Sequence, residues 1–230
     1  MAPTWYARPQ RLVHTYGQGG PVRFLPQQQT ILTFSDPDLE ARKAALRRRL
    51  KARRAEARAA NGAAIAALAA ERFLAAIPVR AGQAIAGYWP MDDELDPRPL
   101  LLALQRQGLR ILLPAVQKGA RLLQFRHCDD LATPPPGGAY GIPAPDETAP
   151  VLHPDLLLVP LVGFDTAGHR LGMGGGYYDA TLAALREKGE KTVAVGYAFA
   201  VQQVSDLPHG DHDAILDWAV TERGAIKFER

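Results

Sequence analysis

The sequence predicts an α/β protein built on a three-layer, mostly parallel open sheet with helices on both faces. The first observation is a pair of near-continuous apolar runs, residues 156–162 and 192–198, which is typical of strands buried on both faces. The second is that a glycine-rich loop and a helical segment over residues 178–188 lie between these runs, as in a βαβ unit. The third is that residues 84–116 alternate in the same way, as strand, helix and strand.

The composition limits the class of protein and its compartment. A chain of 230 residues, 47% apolar and 22% charged, is long enough to bury one full core. We expect a single domain over residues 35–230. Residues 1–34 mix Pro, Gly and Gln without periodicity, which predicts a poorly ordered or loosely packed N-terminal extension. Because no apolar run has the length of a membrane span or of a signal peptide, we expect a cytoplasmic protein without a membrane partner.

The first helix is basic and amphipathic. Asp36 and Pro37 form a typical N-cap and first-turn pair. Lys43 falls on the apolar stripe of this helix and Arg47 lies one turn beyond, so both cations could reach inward, or their heads could extend to solvent. The other arginines of the segment are expected to form a solvated face, and no recognition motif indicates nucleic-acid binding. The stripe consists of Leu39, Leu46 and Leu50.

A second helix is expected over residues 63–77, after an interruption at Asn61 and Gly62. Pro78 ends it, because proline cannot continue the hydrogen-bonded ladder. Its predicted core face consists of Ile65, Leu68, Phe73 and Ile77.

The glycine loop lies within residues 165–179, D-T-A-G-H-R-L-G-M-G-G-G-Y-Y-D, between an apolar run and a helix. Its glycines leave room for a ligand against the main chain, so the loop is a candidate phosphate site, although a tight structural turn also uses glycine. Arg170 adds a cation and Asp179 a possible metal-binding carboxylate. Neither the Walker pattern nor the dinucleotide fingerprint fits the loop.

Three further segments offer polar candidates. Glu94 lies in an acidic turn, residues 91–96, just beyond a predicted strand, where α/β sheets bind ligands, although such turns also serve solubility. The segment of residues 133–150 is rich in Pro and Gly and is too long for an ordinary connector, so we expect it to cover another part of the protein. Residues 208–213, P-H-G-D-H-D, hold possible metal ligands without a strong zinc signature. The single cysteine, Cys128, excludes an internal disulfide, and we expect a partly buried residue rather than a nucleophile.

The chain resembles the 5-formyltetrahydrofolate cyclo-ligase family over roughly residues 39–222. The strongest block is R-L-G-M-G-G-G-Y-Y-D at residues 170–179. Three other blocks agree in order and spacing: K-A-A-L-R from residue 43, Y-W-P-M-D-D-E-L-D from residue 88, and Y-G-I-P-A-P from residue 140. Gln203 and the string H-D-A-I-L-D from residue 212 resemble the closing motif of the family.

The resemblance implies a fold topology like that of sugar isomerases and CoA transferases. It implies ATP- and Mg²⁺-dependent conversion of 5-formyltetrahydrofolate to 5,10-methenyltetrahydrofolate with release of ADP and phosphate. ATP and the folate would then be the small-molecule partners of a monomer, with a dimer as the alternative. A non-catalytic protein that binds a phosphorylated metabolite on the same scaffold is the competing hypothesis.

The resemblance also assigns site residues, by matching blocks. Asp179 and Asp213 match magnesium carboxylates, and the catalytic cations are expected to be Lys43, Arg47 and Arg170. The ATP-binding residues would be Lys43, Arg47, Arg170, Leu171, Gly172, Met173, Gly174, Gly175, Gly176, Tyr177 and Tyr178. The folate-binding residues would be Trp89, Glu94, Met173, Gly174, Gly175, Gly176 and Tyr177.

One departure from the family pattern concerns charge. Gly175 stands where some relatives have lysine, so a cation at the terminal phosphate would have to come from Lys43, Arg47 or Arg170. The other departures, Ala144, Met173, Ala180 and Gly210, remove none of the expected ligands.

Overall fold

The computed structural model describes residues 37–117, 119–138, 141–189 and 191–229. All of them fall in one compact unit, Ser35–Arg230. The predicted extension over residues 1–34 and the predicted helix cap Asp36 lie outside the described residues and stay predictions.

A mixed seven-stranded sheet forms the centre of the fold. In chain order the strands are β1 (Ala84–Ala86), β2 (Arg110–Val116), β3 (Leu123–His127), β4 (Leu156–Val159), β5 (Gly163–Phe164), β6 (Arg170–Leu171), β7 (Val193–Tyr197), β8 (Trp218–Thr221) and β9 (Gly224–Lys227). The sheet order is β3-β2-β1-β4-β7-β8-β9, and β5 pairs with β6 in a separate hairpin. The four central pairs are parallel, and the edge pairs β2–β3 and β8–β9 are antiparallel. The prediction of a mostly parallel open sheet is confirmed.

Helices cover both faces of this sheet, as predicted. They are α1 (Pro37–Ala76), α2 (Arg98–Arg106) and α3 (Tyr177–Glu187). One apolar cluster joins the second part of α1 and all of α2 to strand residues such as Ile85 and Leu158. The opposite cluster joins α3 to their strand neighbours Ala86 and Leu157. Successive strand residues therefore enter different cores, as expected for strands buried on both sides.

The long helix α1 contains the predicted interruption as a kink. Asn61 has non-helical backbone angles, φ −165° and ψ 47°, so two helical segments meet there. The prediction that Leu68 faces the core is wrong, because this side chain is 41% exposed. The buried stripe instead recurs at steps of three and four residues, and a residue two positions from Ala66 lies off that stripe. The stripe consists of Ala66, Ala69, Ala70, Phe73 and Ile77.

Two strand features near the site and the C-terminus differ from the sequence expectation. The apolar run 156–162 leaves the sheet at Val159, since Pro160 has no amide hydrogen for the ladder. The run then leads into the β5–β6 hairpin, so the glycine loop follows β6 rather than β4. The β8–β9 pair at the C-terminus was not predicted. Among the described residues, no helix is both long enough and apolar enough to cross a membrane.

Phe73→Ala should test the core between α1 and the sheet. Phe73 is fully buried, so the substitution is expected to lower the free energy of unfolding by about 3–5 kcal/mol. The adjacent Leu74, 38% exposed on the same helix, provides the matched control, and Leu74→Ala should cost far less. Urea unfolding of both variants measures the difference, and equal losses would contradict the assigned packing of α1.

Candidate active site

A cavity of about 440 Å³ lies beyond the carboxyl ends of the central strands, where open α/β sheets bind ligands. Its volume falls in the range of small-molecule sites. Trp89, Val116 and Pro160 come from the ends of β1, β2 and β4. Every site residue predicted from the sequence lines this cavity: Lys43, Arg47, Trp89, Glu94, Arg170, Leu171, Gly172, Met173, Gly174, Gly175, Gly176, Tyr177, Tyr178, Asp179 and Asp213.

The glycine loop, residues 172–176, joins β6 directly to α3. Gly174 and Gly176 have φ angles of 104° and 70°, which side chains rarely adopt. Gly176 is the N-cap residue of α3, and no side chain of the described residues caps that helix. The first amides of a helix require an acceptor, and the positive end of its dipole favours an anion. The loop and helix therefore form an arrangement suited to a phosphate group.

Arg47 holds the beginning of this loop. Its Nε donates a hydrogen bond of 2.9 Å to the carbonyl oxygen of Gly172. A Cβ added to Gly174 would lie 3.8 Å from the Arg47 guanidinium carbon, so the arginine also runs alongside the middle of the loop. Of the two orientations that the sequence leaves open for Arg47, the structure shows the inward one.

Lys43 also points inward, and its ammonium group is paired. It is 7% exposed, and its Nζ donates a 2.6 Å hydrogen bond to Asp213. Burial alone would raise the pKa of Asp213, but hydrogen bonds from Lys43 and from the amide of Gly210 lower it below its ordinary value. The Asp213 carboxylate is therefore held ionised at the cavity wall.

Arg170 and Asp179 form a second ion pair at the same wall. Arg170 Nη2 donates to Asp179 Oδ1 over 2.8 Å, and Arg170 Nη1 donates to the carbonyl oxygen of Ala214. The same Asp179 oxygen accepts the amide of Ala214 over 3.0 Å. Because Ala214 follows Asp213 directly, these bonds bring the two candidate metal carboxylates to one place from positions far apart in the chain.

The carboxylates of Asp179 and Asp213 are ligands of the kind that Mg²⁺ prefers. Among the described residues, no cluster of three or more His, Cys, Asp or Glu side chains could hold a metal ion. Mg²⁺ retains several waters and is usually bound by one or two carboxylates together with substrate phosphates. A pair of carboxylates beside a phosphate-type loop meets that requirement.

Glu94 forms another part of the wall and is 9% exposed. Its carboxylate accepts the amide of Met91 over 3.0 Å, and its own amide donates to the carbonyl of Met91 over 2.9 Å, so the turn is closed on itself. Burial is the largest influence on this carboxyl group and raises its pKa above the ordinary value. A buried acceptor at a cavity wall suits a ligand with hydrogen-bond donors.

Trp89, another residue of the cavity wall, lies beside a cation. The Arg98 guanidinium lies 5.0 Å from the Trp89 ring centroid, within cation–π range. Asp96 fixes that arginine through bonds of 2.7 to 3.1 Å to Nε and Nη2. The indole thus offers a flat, oriented surface to an aromatic ligand.

Sequence reasoning missed Arg54, which was expected on the solvated face of α1. This arginine is 2% exposed and lines the cavity. It lies four residues after Leu50 and eleven after Lys43, so helical spacing places it on the same stripe. The spacing could therefore have identified it, had its charge not favoured solvent.

The structure also places the remaining candidates. Cys128 is buried, and burial raises its thiol pKa to about 11, which does not suit a nucleophile. His209 stacks on His169 with ring centroids 3.6 Å apart. From the segment 133–150, Ile142 and Ala144 line the cavity, in agreement with a covering role.

The fold and the cavity define the class: an α/β protein with a candidate small-molecule site at the carboxyl edge of its sheet. The chain belongs to the 5-formyltetrahydrofolate cyclo-ligase family, whose sequence model matches residues 39–222. It is 36% identical to the 5-formyltetrahydrofolate cyclo-ligase of Haemophilus influenzae over 146 residues, which cover 61% of this chain and 76% of that protein. It is 35% identical to the Escherichia coli K12 protein of the same name over 161 residues, covering 66% and 85%.

Solved structures agree with the fold. An NMR structure of Aquifex aeolicus 5,10-methenyltetrahydrofolate synthetase superposes with a TM-score of 0.68 at 26% identity, covering 82% of this chain and 93% of that one. A 5,10-methenyltetrahydrofolate synthetase from Mycoplasma pneumoniae has a TM-score of 0.61 at 23% identity, with 78% and 98% covered. The family predicted from the sequence motifs is confirmed.

Proposed function

We propose that this chain is a 5-formyltetrahydrofolate cyclo-ligase that uses ATP to form 5,10-methenyltetrahydrofolate, ADP and phosphate. The observation that carries the proposal is that one cavity gathers a phosphate-type loop, inward cations, a carboxylate pair and the wall formed by Trp89 and Glu94. Family membership and the names of the relatives support the same activity.

The chemistry explains why such a cavity is needed. The formyl oxygen is a poor leaving group, and transfer of the terminal phosphoryl group of ATP to that oxygen makes it a good one. N10 of the same folate molecule then attacks the formyl carbon and gives up its proton, and the carbon–oxygen bond breaks as phosphate departs. No protein nucleophile takes part, so the protein acts by positioning groups and neutralising charge.

Lys43, Arg47 and the loop 172–176 are the proposed triphosphate ligands. Phosphate oxygens would accept from amides of the glycine loop and the first turn of α3 and from the two cations of α1. Arg170 is already bonded to Asp179 and Ala214, so its contribution would be to orient Asp179 and to supply positive charge beside the loop.

Asp179 and Asp213 are the residues that would hold Mg²⁺. When bound, the ion supplies charge neutralisation on the phosphates. Each of these carboxylates is paired with a cation of the same cavity, Arg170 or Lys43. On binding of a magnesium nucleotide, the carboxylates would gain Mg²⁺ and the nearby cations would gain phosphate oxygens, so neither side would be left as a buried unpaired charge. This favours joint binding of metal and nucleotide over binding of either one alone.

Trp89, Glu94 and Tyr177 are proposed to receive the folate. The pterin ring would lie against the indole, and its donor edge would face the Glu94 carboxylate. Since N10 and the formyl carbon belong to one molecule, holding the folate in its reactive conformation contributes directly to ring closure.

An absorbance assay tests the function. Protein mixed with ATP, Mg²⁺ and 5-formyltetrahydrofolate should produce the conjugated methenyl chromophore, with ADP formed only when both the folate and Mg²⁺ are present. Ligand binding without ADP formation would instead support the non-catalytic binder. A cytoplasmic location and a monomeric or dimeric state stay predictions, the latter to be tested by light scattering.

A further inference from the structure

Arg54 is among the largest fully buried side chains of the described residues, yet the reaction outlined above assigns it no role. It projects from α1, and its Nη2 donates a 2.5 Å hydrogen bond to Asp93 Oδ1. Its Nη1 donates to the carbonyl oxygen of Leu161 over 3.2 Å and lies 3.9 Å from Glu94 Oε1. Its Nε is buried without a hydrogen-bond partner among the described residues. One guanidinium thus lies within 4 Å of two consecutive carboxylates and also donates to the backbone after β4.

The position of this guanidinium is fixed by close packing. Leu50, one turn earlier on α1, approaches the chain so tightly that a Cβ on Gly163 would lie 2.4 Å from its Cδ1. The oxygen of Leu161 that Arg54 contacts also accepts from Gln202 over 2.7 Å. Arg54 is thus bonded to the chain after β4 through Leu161 and to the acidic turn through Asp93.

An ion pair with Asp93 alone would be enough to hold the turn in place. That role therefore does not explain why Arg54 also approaches Glu94. The 3.9 Å approach to Glu94 places a fixed positive charge beside a carboxylate that burial and like charges disfavour in its ionised form. The groups that face Glu94 are Arg54 from α1, Asp92 and Asp93 from its own turn, Tyr88 after β1, and Tyr178 from α3. Arg54 is the cation in this set.

We propose that Arg54 is a positioning residue of the site: it holds the 91–96 turn at the cavity wall and places a fixed positive charge beside Glu94, where hydrogen-bond donors of the folate meet that carboxylate. The part of the inference that concerns the folate rests on the proposed function. The part that concerns Arg54 and Glu94 does not, because it is a property of the protein without substrate.

The test is the sign of a pKa change at Glu94, read by ¹³C NMR of its carboxyl carbon and assigned with Glu94→Gln. In Arg54→Met, loss of the neighbouring positive charge should raise the pKa of Glu94 by about one unit or more. In Asp93→Asn, a like charge disappears while the guanidinium stays, so the pKa should fall. Arg54→Lys retains the positive charge, so the pKa of Glu94 in this variant should be close to its value in the parent protein.

A purely structural tether gives a different pattern. Loosening the turn by Arg54→Met would hydrate Glu94 and bring its raised pKa down toward the ordinary value, and Asp93→Asn would act in the same direction. A fall in Arg54→Met, or a rise in Asp93→Asn, therefore overturns the proposal. If Arg54→Met does not fold, Arg54→Lys decides, because lysine keeps the positive charge but not the guanidinium bonds to Asp93 and Leu161. A Glu94 pKa near the parent value supports the proposal, and a fall toward the ordinary value overturns it.

Enzymatic measurements add the link to the folate. Acceptance by an ionised Glu94 is lost as pH falls through its pKa, so the acid limb of kcat/KM for 5-formyltetrahydrofolate should move upward in Arg54→Met by the same amount as the NMR value, with the KM for ATP unchanged. If the NMR pKa of Glu94 shifts but the acid limb of the kcat/KM profile does not, Glu94 does not contribute to recognition of the folate. An inactive parent protein would reject the proposed function and leave the NMR result standing.

Discussion

Asp179→Asn is expected to lower Mg²⁺-dependent turnover on the order of a hundredfold. The substitution neutralises one of the two carboxylates proposed to hold the ion, and it also unpairs the buried Arg170 guanidinium. Both effects weaken charge neutralisation at the phosphates. The measurement is the initial rate of methenyl product formation over a range of Mg²⁺ concentrations.

The control is Asp211→Asn, a neutralised carboxylate in the same 208–213 segment as Asp213. Asp211 is exposed and should leave the rate and its dependence on Mg²⁺ unchanged. Thermal unfolding of both variants separates catalysis from stability. A rate for Asp179→Asn within a few fold of the parent at every Mg²⁺ concentration would remove Asp179 from the site.

The parts of the fold predicted from the sequence are those with a strong local signal. Runs such as 156–162 and 192–198 are apolar on both faces, and that pattern is sufficient to predict buried parallel strands. The hairpin of Gly163–Phe164 and Arg170–Leu171 has only two residues in each strand, too few to show any periodicity. Its contacts are distant in sequence: Leu50 of α1 packs against Gly163, and the amide of Val204 donates to the carbonyl of Phe164.

The site divides in the same way. The glycine loop and its flanking Arg170 and Asp179 are adjacent in sequence, so both the chemistry and the family motif could be recognised. The partner of Lys43 is 170 residues away, and no local pattern reveals that pairing. Arg54 shows the limit of inference from residue type: its spacing indicated the buried stripe, whereas its charge indicated solvent. The fold resolves that conflict by bringing Asp93 and Glu94 to meet it.

Glu94→Gln is the second substitution with a large expected effect. It preserves the shape of the side chain but replaces a charged acceptor, so the KM for 5-formyltetrahydrofolate should rise, or kcat fall, by about tenfold to a hundredfold. ATP affinity, measured by calorimetry without the folate, should stay at the parent value, because Glu94 lies at the Trp89 wall rather than on the glycine loop. The two measurements together locate the loss at one substrate.

Asp92→Asn is the matched control for this change. Asp92 is exposed on the same turn, and asparagine tolerates its positive φ of 47°. It removes one negative charge near Glu94 without removing the buried acceptor, so folate kinetics should stay near the parent. Two results would contradict this: an equal loss of ATP and folate binding in Glu94→Gln, or an effect of Asp92→Asn as large as that of Glu94→Gln. Either would show that the turn affects activity through its net charge or its stability rather than through one contact with the folate. The assignment of Glu94 to the folate would then be wrong.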